Sequence, residues 1–503
     1  PALNPSGSFV DVWTSINAFD YHDRQGGFHS KTETLRHWGE AFALIRDSFG
    51  GGPTTSEAGS DQLIGWLEGA DCQFMQIGEG KPFNNVAPCL DWERVPWFDA
   101  VNHSRFSLHG VGYSSRYEGG RSRFDHGIES DDYISAEILT GHALMIDLPG
   151  MVRGAVRKYW LAQDFIESIA MDDVASVQYA GGNIHRQAIT WKSGATVHVN
   201  RGSNDWHIAN RVLPPYGYLA QNGVLQSSIE RIDGAIVEQS RAPGHDYYNG
   251  RGYNPNAPLS IRPAAKYVEY LGAREFRLVV DWQADAPAPA DLSVFYHFSR
   301  PTPGRYTDTE FYGGGKPQPP VSAWSGRVVT GTNWTVGIPP GMPLGEYDVL
   351  VGLYDPNGGK RYRLLGDETD GRRYLVGTLI VDGAVQAGAT NITSVRLKKS
   401  ALADANASPA INRSPVNFGS VITSGALRLI RDSKTLVFLP LPDGNDFTIE
   451  CASGLFHGRK PQALHAIDPR GAALRPVPFT TGPTRFYFRV DKNDFGYRLD
   501  FTP

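Results

Sequence analysis

Two carboxylates stand at the ends of short runs early in the chain. Asp11 follows Phe9-Val10 and precedes Val12-Trp13, and Glu57 follows Pro53-Thr54-Thr55-Ser56 and precedes Ala58-Gly59. A carboxylate pair facing one sugar can cleave a glycosidic bond: one group attacks or stabilises the anomeric carbon while the other protonates the leaving oxygen. The same residues also suit ordinary strand-end acids that cap helices or pair with arginines, so their placement decides between the readings. Between them, Lys31 to Phe49 carries Leu35, Trp38, Ala41, Phe42, Ile45 and Phe49 at helical spacing, and Gly50-Gly51-Gly52 stops it. The order strand, loop, helix, strand makes a crossover with parallel strands. Asp11 and Glu57 are therefore expected at the same carboxyl-terminal edge of one sheet.

Sugars are held by aromatic faces and by hydrogen-bonding groups. The loops expected at this edge offer Trp13, Asp20, Tyr21, His22, Asp61, Trp92, His109, Tyr113 and His142. Asp20 and His22 follow Asp11 in the chain and are the leading binding candidates, although a histidine or acid in such a loop also commonly serves structure. His22, Asp23 and His29 match no strong ligand spacing, so a catalytic metal is not expected.

Val10-Asp11-Val12-Trp13 at a strand end, followed by a helix and a second strand ending in an acid, resembles the nucleophile and proton-donor segments of the endo-α-N-acetylgalactosaminidase family and related retaining glycoside hydrolases. The resemblance covers roughly residues 9 to 75, with a looser likeness of layout to about residue 225. It implies a (β/α)8 barrel with an aspartate nucleophile after the fourth strand and a glutamate donor after the fifth. Asp11 would then be the nucleophile and Glu57 the acid/base. The sequence departs from the family in the insert Asn17 to Ser30 and in Thr55-Ser56-Glu57-Ala58-Gly59, so reaction type transfers better than substrate.

The fold expected from this reading is multidomain, α/β plus all-β. Residues 1–172 form the C-terminal part of a (β/α)8 barrel, strands four to eight. Antiparallel β units follow: a sandwich over 173–264, an immunoglobulin-like sandwich over 265–383 and a β-rich domain over 391–503. In detail, Asp61 to Phe74 reads as a helix, Leu90 to Asn102 as the approach to a sixth strand and Phe106 to Tyr113 as a seventh. Ala136 to Pro149 supplies an eighth strand or its preceding helix, Met151 to Ile169 is an amphipathic helix, and Asp382 to Thr390 reads as a linker. With strands one to three unaccounted for, a second polypeptide completing the barrel is the expected partner.

A formal net charge of −5 over 503 residues gives no basic field for nucleic acid or anionic membrane, and no apolar run is long enough to span a bilayer. Cys72, Cys89 and Cys451 make no disulfide framework and no zinc spacing; at most Cys72 and Cys89 could pair. No cofactor is expected. Asp355-Pro356-Asn357-Gly358-Gly359 and Asp367-Glu368-Thr369-Asp370-Gly371 are candidates for a structural calcium, with hairpin turns as the competing reading. Pro1-Ala2-Leu3-Asn4-Pro5 lacks an initiator methionine and a signal-peptide pattern, which reads as a processed chain or a fragment. A polysaccharide enzyme meets its substrate outside the cytoplasm, so a secreted or periplasmic location is expected. Two other classes compete. One is a non-catalytic carbohydrate-binding or surface structural protein with a degenerate barrel; the other is a polysaccharide lyase, which would need a base beside a group that neutralises a uronate.

Overall fold

The computed structural model describes residues 5–59, 61–72, 75–77, 87–89, 96–112, 117, 126–146, 153–252, 258–288, 290–301, 309–366, 368–369, 371–386, 389–400, 414–432 and 434–502. The chain is β-rich and divides into two compact units: residues 1–119, 123–253 and 411–503, and residues 120–122 and 254–410. No helix among the described residues is long and apolar enough to cross a membrane.

The first unit begins with a parallel sheet in the order β1 (Ser8–Val10), β2 (Thr54–Ala58), β3 (Gly69–Cys72), β4 (Ser107–Leu108). Ala143 extends it as a fifth position, bridged in parallel to His109. Among the described residues this is an open sheet, not a closed barrel. Helix α1 (Lys31–Ser48) crosses from β1 to β2 as its apolar spacing predicts. Ser30 Oγ accepts from Glu33 N while Glu33 accepts from Ser30 N at 2.8 Å, a reciprocal cap that satisfies the first-turn donors. Phe42 is buried with Leu63, Leu67, Ala70, Phe106 and Leu108, and Val10, Leu35 and Trp38 pack on the same cluster. One face of the sheet is thereby covered.

One segment of this unit differs from its expected structure. Over the described residues 61–72 the expected helix Asp61 to Phe74 is replaced by other structure: Asp61–Leu63 is a single 3₁₀ turn and the chain then enters β3. Gly69 permits this, because a Cβ there would stand 2.5 Å from the Ser107 carbonyl oxygen of the neighbouring strand. The approach to β4 is made by a helix, α2 (Trp97–Asn102); residues 90–95 lie outside the described residues. Residues 136–140 take the second of their two expected forms, belonging to helix α3 (Asp131–Thr140), which Gly141 ends in the left-handed conformation before the chain reaches Ala143. The long amphipathic helix is present as α4 (Arg153–Ile169).

After α4 the chain forms a 12-stranded antiparallel sheet running from Val174–Tyr179 through His245–Asn249 and on into Ala426–Arg431 and later strands. Parts of the two units expected at 173–264 and 391–503, namely 174–249 and residues from 426 onward, are thus joined by a ladder in which Tyr247 opposes Arg428. A five-stranded sheet, among them Phe447–Ala452 and Arg485–Val490, shares a core with it around Phe438, Ile449, Phe486 and Tyr497. Helix α4 lies on the large sheet, burying Leu161, Phe165 and Ile169 against Ile189, Val197 and Ile229.

Charge reinforces this packing. Arg157 Nε lies 3.0 Å from both carboxylate oxygens of Glu238, and its Nη2 lies 2.6 Å from Asp131; Arg251 also bridges Asp131 and Glu238. Burial alone would raise the Asp131 carboxyl, but Arg251 and Arg157 bring it down to about 2 from 3.8. The stabilisation from this group is therefore complete above the unfolded value and is lost as pH falls through about 2. Acidifying from about pH 4 to about pH 2 should remove about 2 kcal/mol through this residue. Urea unfolding across that range should show a shallower pH slope for Asp131→Asn than for the unaltered chain; equal slopes would rule the assignment out.

The second unit is a β-sandwich. Ile261–Gly272, Glu275–Ala284 and Gly326–Thr330 form one sheet, and Phe311–Gly315, Ser293–Ser299, Gly345–Tyr354 and Arg373–Gln386 the main part of the other. Its core holds Trp282, Tyr296, Trp324 and Val349, with the Trp282 indole donating to Thr330 Oγ1 at 2.8 Å. Asp382 to Thr390 is not a linker, because Arg373–Gln386 and Ala389–Lys399 pair as a hairpin. Gly383 answers to close approach there: a Cβ would stand 2.0 Å from the Asn391 carbonyl oxygen. In the first acidic turn Asp355 accepts from Asn357 N at 2.9 Å, an ordinary turn bond; Asp367 and Asp370 lie outside the described residues.

Candidate functional site

Register builds the site. Val10 opposes Ser56, Ser56 opposes Ala70 and Ala70 opposes Leu108 across three parallel pairings. The next residue on each strand therefore forms a row: Asp11, Glu57, Asp71, His109. The His109 N–H donates to the Asp71 carbonyl at 3.0 Å, which ties the last two together. Since Val10, Ala70 and Leu108 pack toward α1, alternation turns the row to the opposite face. Adjacent strands are about 4.8 Å apart, which sets the spacing of neighbours along the row. Asp11 and His109 are exposed, whereas Glu57 is 8% exposed.

The backbone turns sharply after Asp11. Val12 has φ 68° and ψ −40°, and Trp13 N donates to Asp11 O at 2.8 Å, a three-residue turn that is strained for a β-branched residue. Val12 N also donates to Asp11 Oδ1 at 3.0 Å. Thr14 locks the turn onto β2: its hydroxyl donates to Ser56 Oγ at 2.9 Å and accepts from Ala58 N at 2.7 Å. Both bonds flank Glu57, so the segment after Asp11 and the residues around Glu57 are held as one piece.

The other expected residues divide by task. Trp13 rests on α1, 6.4 Å from Trp38 and 5.6 Å from Phe42 between ring centroids. Asp20 accepts from Lys31 N at 2.6 Å, satisfying a donor at the start of α1. His22 sits exposed in the short hairpin that pairs Tyr21 with His29, and Asp23 there is held below the usual carboxylate range, first by its hydrogen bond with His29. Asp61 accepts from Asn102 Nδ2 at 2.9 Å and so links its turn to α2. His142 is buried, with Nδ1 2.6 Å from Gly110 O and Nε2 against Asp99. Trp92 and Tyr113 lie outside the described residues. The structure brings Asp11, Glu57 and His109 onto one row and adds Asp71, which reading residues 61–74 as a helix had hidden. The small pair Gly69-Ala70 ahead of it was the available signal. No group of three or more His, Cys, Asp or Glu among the described residues is placed to hold a metal ion.

No protein-family model matches the chain, and no curated protein sequence matches it. Among solved structures it is distantly similar to the α-N-acetylgalactosaminidase NagBb of Bifidobacterium bifidum. A quadruple mutant of that protein is 15% identical over 39% of this chain and 30% of that one, with a TM-score of 0.31. The ligand-free form gives 16% over 40% and 30%, at 0.30, and the GalNAc complex 17% over 38% and 29%, at 0.29. The chain thus spans about 30% of the length of the structures it is similar to.

Proposed function

We propose that this chain carries the two-carboxylate centre of a retaining glycoside hydrolase acting on an α-linked glycan, with Asp11 as nucleophile and Glu57 as acid/base. One observation carries the reading: Val10 opposes Ser56 on adjacent parallel strands, and Asp11 and Glu57 are the next residue of each. A strand spacing of about 4.8 Å fits the separation of about 5–5.5 Å used for covalent retention better than the 6.5–9.5 Å, roughly, that leaves room for an inverting water. The open sheet is taken as the C-terminal part of a (β/α)8 barrel, and the exposed ring of Phe9, on the same face as the row, fits an interior position there. The α-linkage rests on the resemblance of Val10-Asp11-Val12-Trp13 alone. A polysaccharide substrate places the protein outside the cytoplasm, secreted or periplasmic.

In this reading Asp11 attacks the anomeric carbon and forms a glycosyl ester while Glu57 gives its proton to the leaving oxygen. Glu57 then takes a proton from water as that water cleaves the ester and restores Asp11. His109 borders the sugar, while Trp13 packs on α1 beside Trp38 and Phe42. Glu57→Gln provides the test. It should lower kcat/KM on natural glycosides by about a hundredfold while sparing kcat/KM on activated aryl glycosides, whose leaving group needs no proton in the first step. Equal losses on both substrates would remove Glu57 from the role. Sugar binding without turnover in the unaltered chain would favour a carbohydrate-binding protein instead.

A further inference from the structure

Helix α3 carries Tyr133 and Glu137 four residues apart and therefore on one face, and Lys158 of α4 meets them; all three are buried. Tyr133 Oη accepts from Val111 N at 3.2 Å and Gly112 N at 3.3 Å and donates to Gly112 O. Glu137 Oε1 accepts from Met145 N at 2.7 Å. Lys158 Nζ lies 2.7 Å from Glu137 Oε2, donates to Met145 O at 2.7 Å and Ile128 O at 2.9 Å, and stands 4.6 Å from the Tyr133 ring centroid. Both backbone polar atoms of Met145 are thus gripped by one buried ion pair.

What these three residues grip borders the row. Residues 110–112 follow His109 directly. Met145 lies two residues beyond Ala143, the bridge partner of His109. Its side chain packs on Ala58 and Cys72, the residues that follow Glu57 and Asp71. Space is tight where the loops meet: a Cβ at Gly110 would stand 2.4 Å from Tyr133 Oη and 2.6 Å from Met145 Cβ, and Gly110 has φ 63°. Stability alone is a poor reason for a buried pair, because well-packed apolar residues often do as well or better. Burial pushes the Glu137 carboxyl up to about 7 against the pull of Lys158.

We propose that Tyr133, Glu137 and Lys158 are positioning residues that hold the loops after His109 and Ala143, and through them set Glu57 and His109 for the reaction; this rests on the glycosidase reading. None of the three touches the reacting atoms.

Two variants test it in the full chain. Tyr133→Phe removes only the hydroxyl. Glu137→Gln combined with Lys158→Met keeps an acceptor for Met145 N, removes both charges and preserves volume. Hydrogen–deuterium exchange should rise at least about tenfold at 110–112 in the first and at 143–146 in the second, with other regions unchanged. On an activated aryl glycoside, kcat should fall about ten- to hundredfold with KM changed less than about threefold, the pattern of misplacement at a distance. The His109 ring resonance, in protein carrying labelled histidine, should shift in both. Unchanged exchange overturns the proposal, and so does loosened exchange with kcat retained. Should the unaltered chain hydrolyse no glycoside, the glycosidase reading fails by itself, and exchange with the His109 resonance still decides the positioning role.

Discussion

Asp11→Asn is expected to lower kcat on any substrate of this chain by about a thousandfold, equivalent to about 4 kcal/mol of transition-state stabilisation. The amide keeps the shape of the carboxylate but cannot form the glycosyl ester. The turn after Asp11 should survive the change, because an amide oxygen can accept from Val12 N as Asp11 Oδ1 does. Thr14 still fastens that turn to Ser56 and Ala58. Asp11 is exposed, so a neutral replacement leaves no unsatisfied buried group. KM within about threefold of the unaltered chain and an unchanged unfolding midpoint should accompany the loss of kcat. A variant with nearly full activity would return Asp11 to the ordinary strand-end acids.

The parts of this arrangement that were legible in the sequence are local. Helix α1 announces itself through apolar spacing and the glycines that stop it, and its crossover puts Asp11 and Glu57 at one edge. Asp71 escaped because Leu63, Ile64, Trp66 and Leu67 mimic a helical stripe, whereas they sit in a 3₁₀ turn and its exit, where Gly65 adopts φ 91°. Asp20 and Asp61 look like ligands in sequence because a free acid and a backbone-capping acid share one letter. Only the structure shows them bonded to Lys31 N and Asn102. The pairing of His245–Asn249 with Ala426–Arg431 joins segments separated by the entire second unit. Each strand alternates as any half-buried strand does, so nothing local names its partner. Glycine misleads in a similar way at 383, where it signals a close strand approach instead of a loose connection.

Arg201→Met is expected to cost about 3–5 kcal/mol of stability, because it strands a buried carboxylate. Arg201 Nη2 lies 2.5 Å from Asp132 Oδ1, and both side chains are fully buried. Asp132 also accepts from Tyr117 Oη at 3.2 Å and bonds His126 Nδ1 at 2.9 Å. Burial pushes the Asp132 carboxyl up, but Arg201 foremost, helped by His126, reverses this and holds it below its ordinary value. In the unaltered chain this stabilisation is present above the unfolded aspartate value and is lost as pH falls through the depressed one. Without Arg201 the cost of burying the charge dominates, the carboxyl moves above its unfolded value, and the variant regains stability as pH falls through that raised value. The gap between variant and unaltered chain should therefore be widest near neutral pH and narrow toward about pH 4 in urea unfolding. Asp132→Asn combined with Arg201→Met should recover much of the loss, since it removes the stranded charge along with its partner. A double variant as unstable as Arg201→Met alone, with a gap that does not change with pH, would mean that Arg201 stabilises this helix end by packing and not by pairing with Asp132.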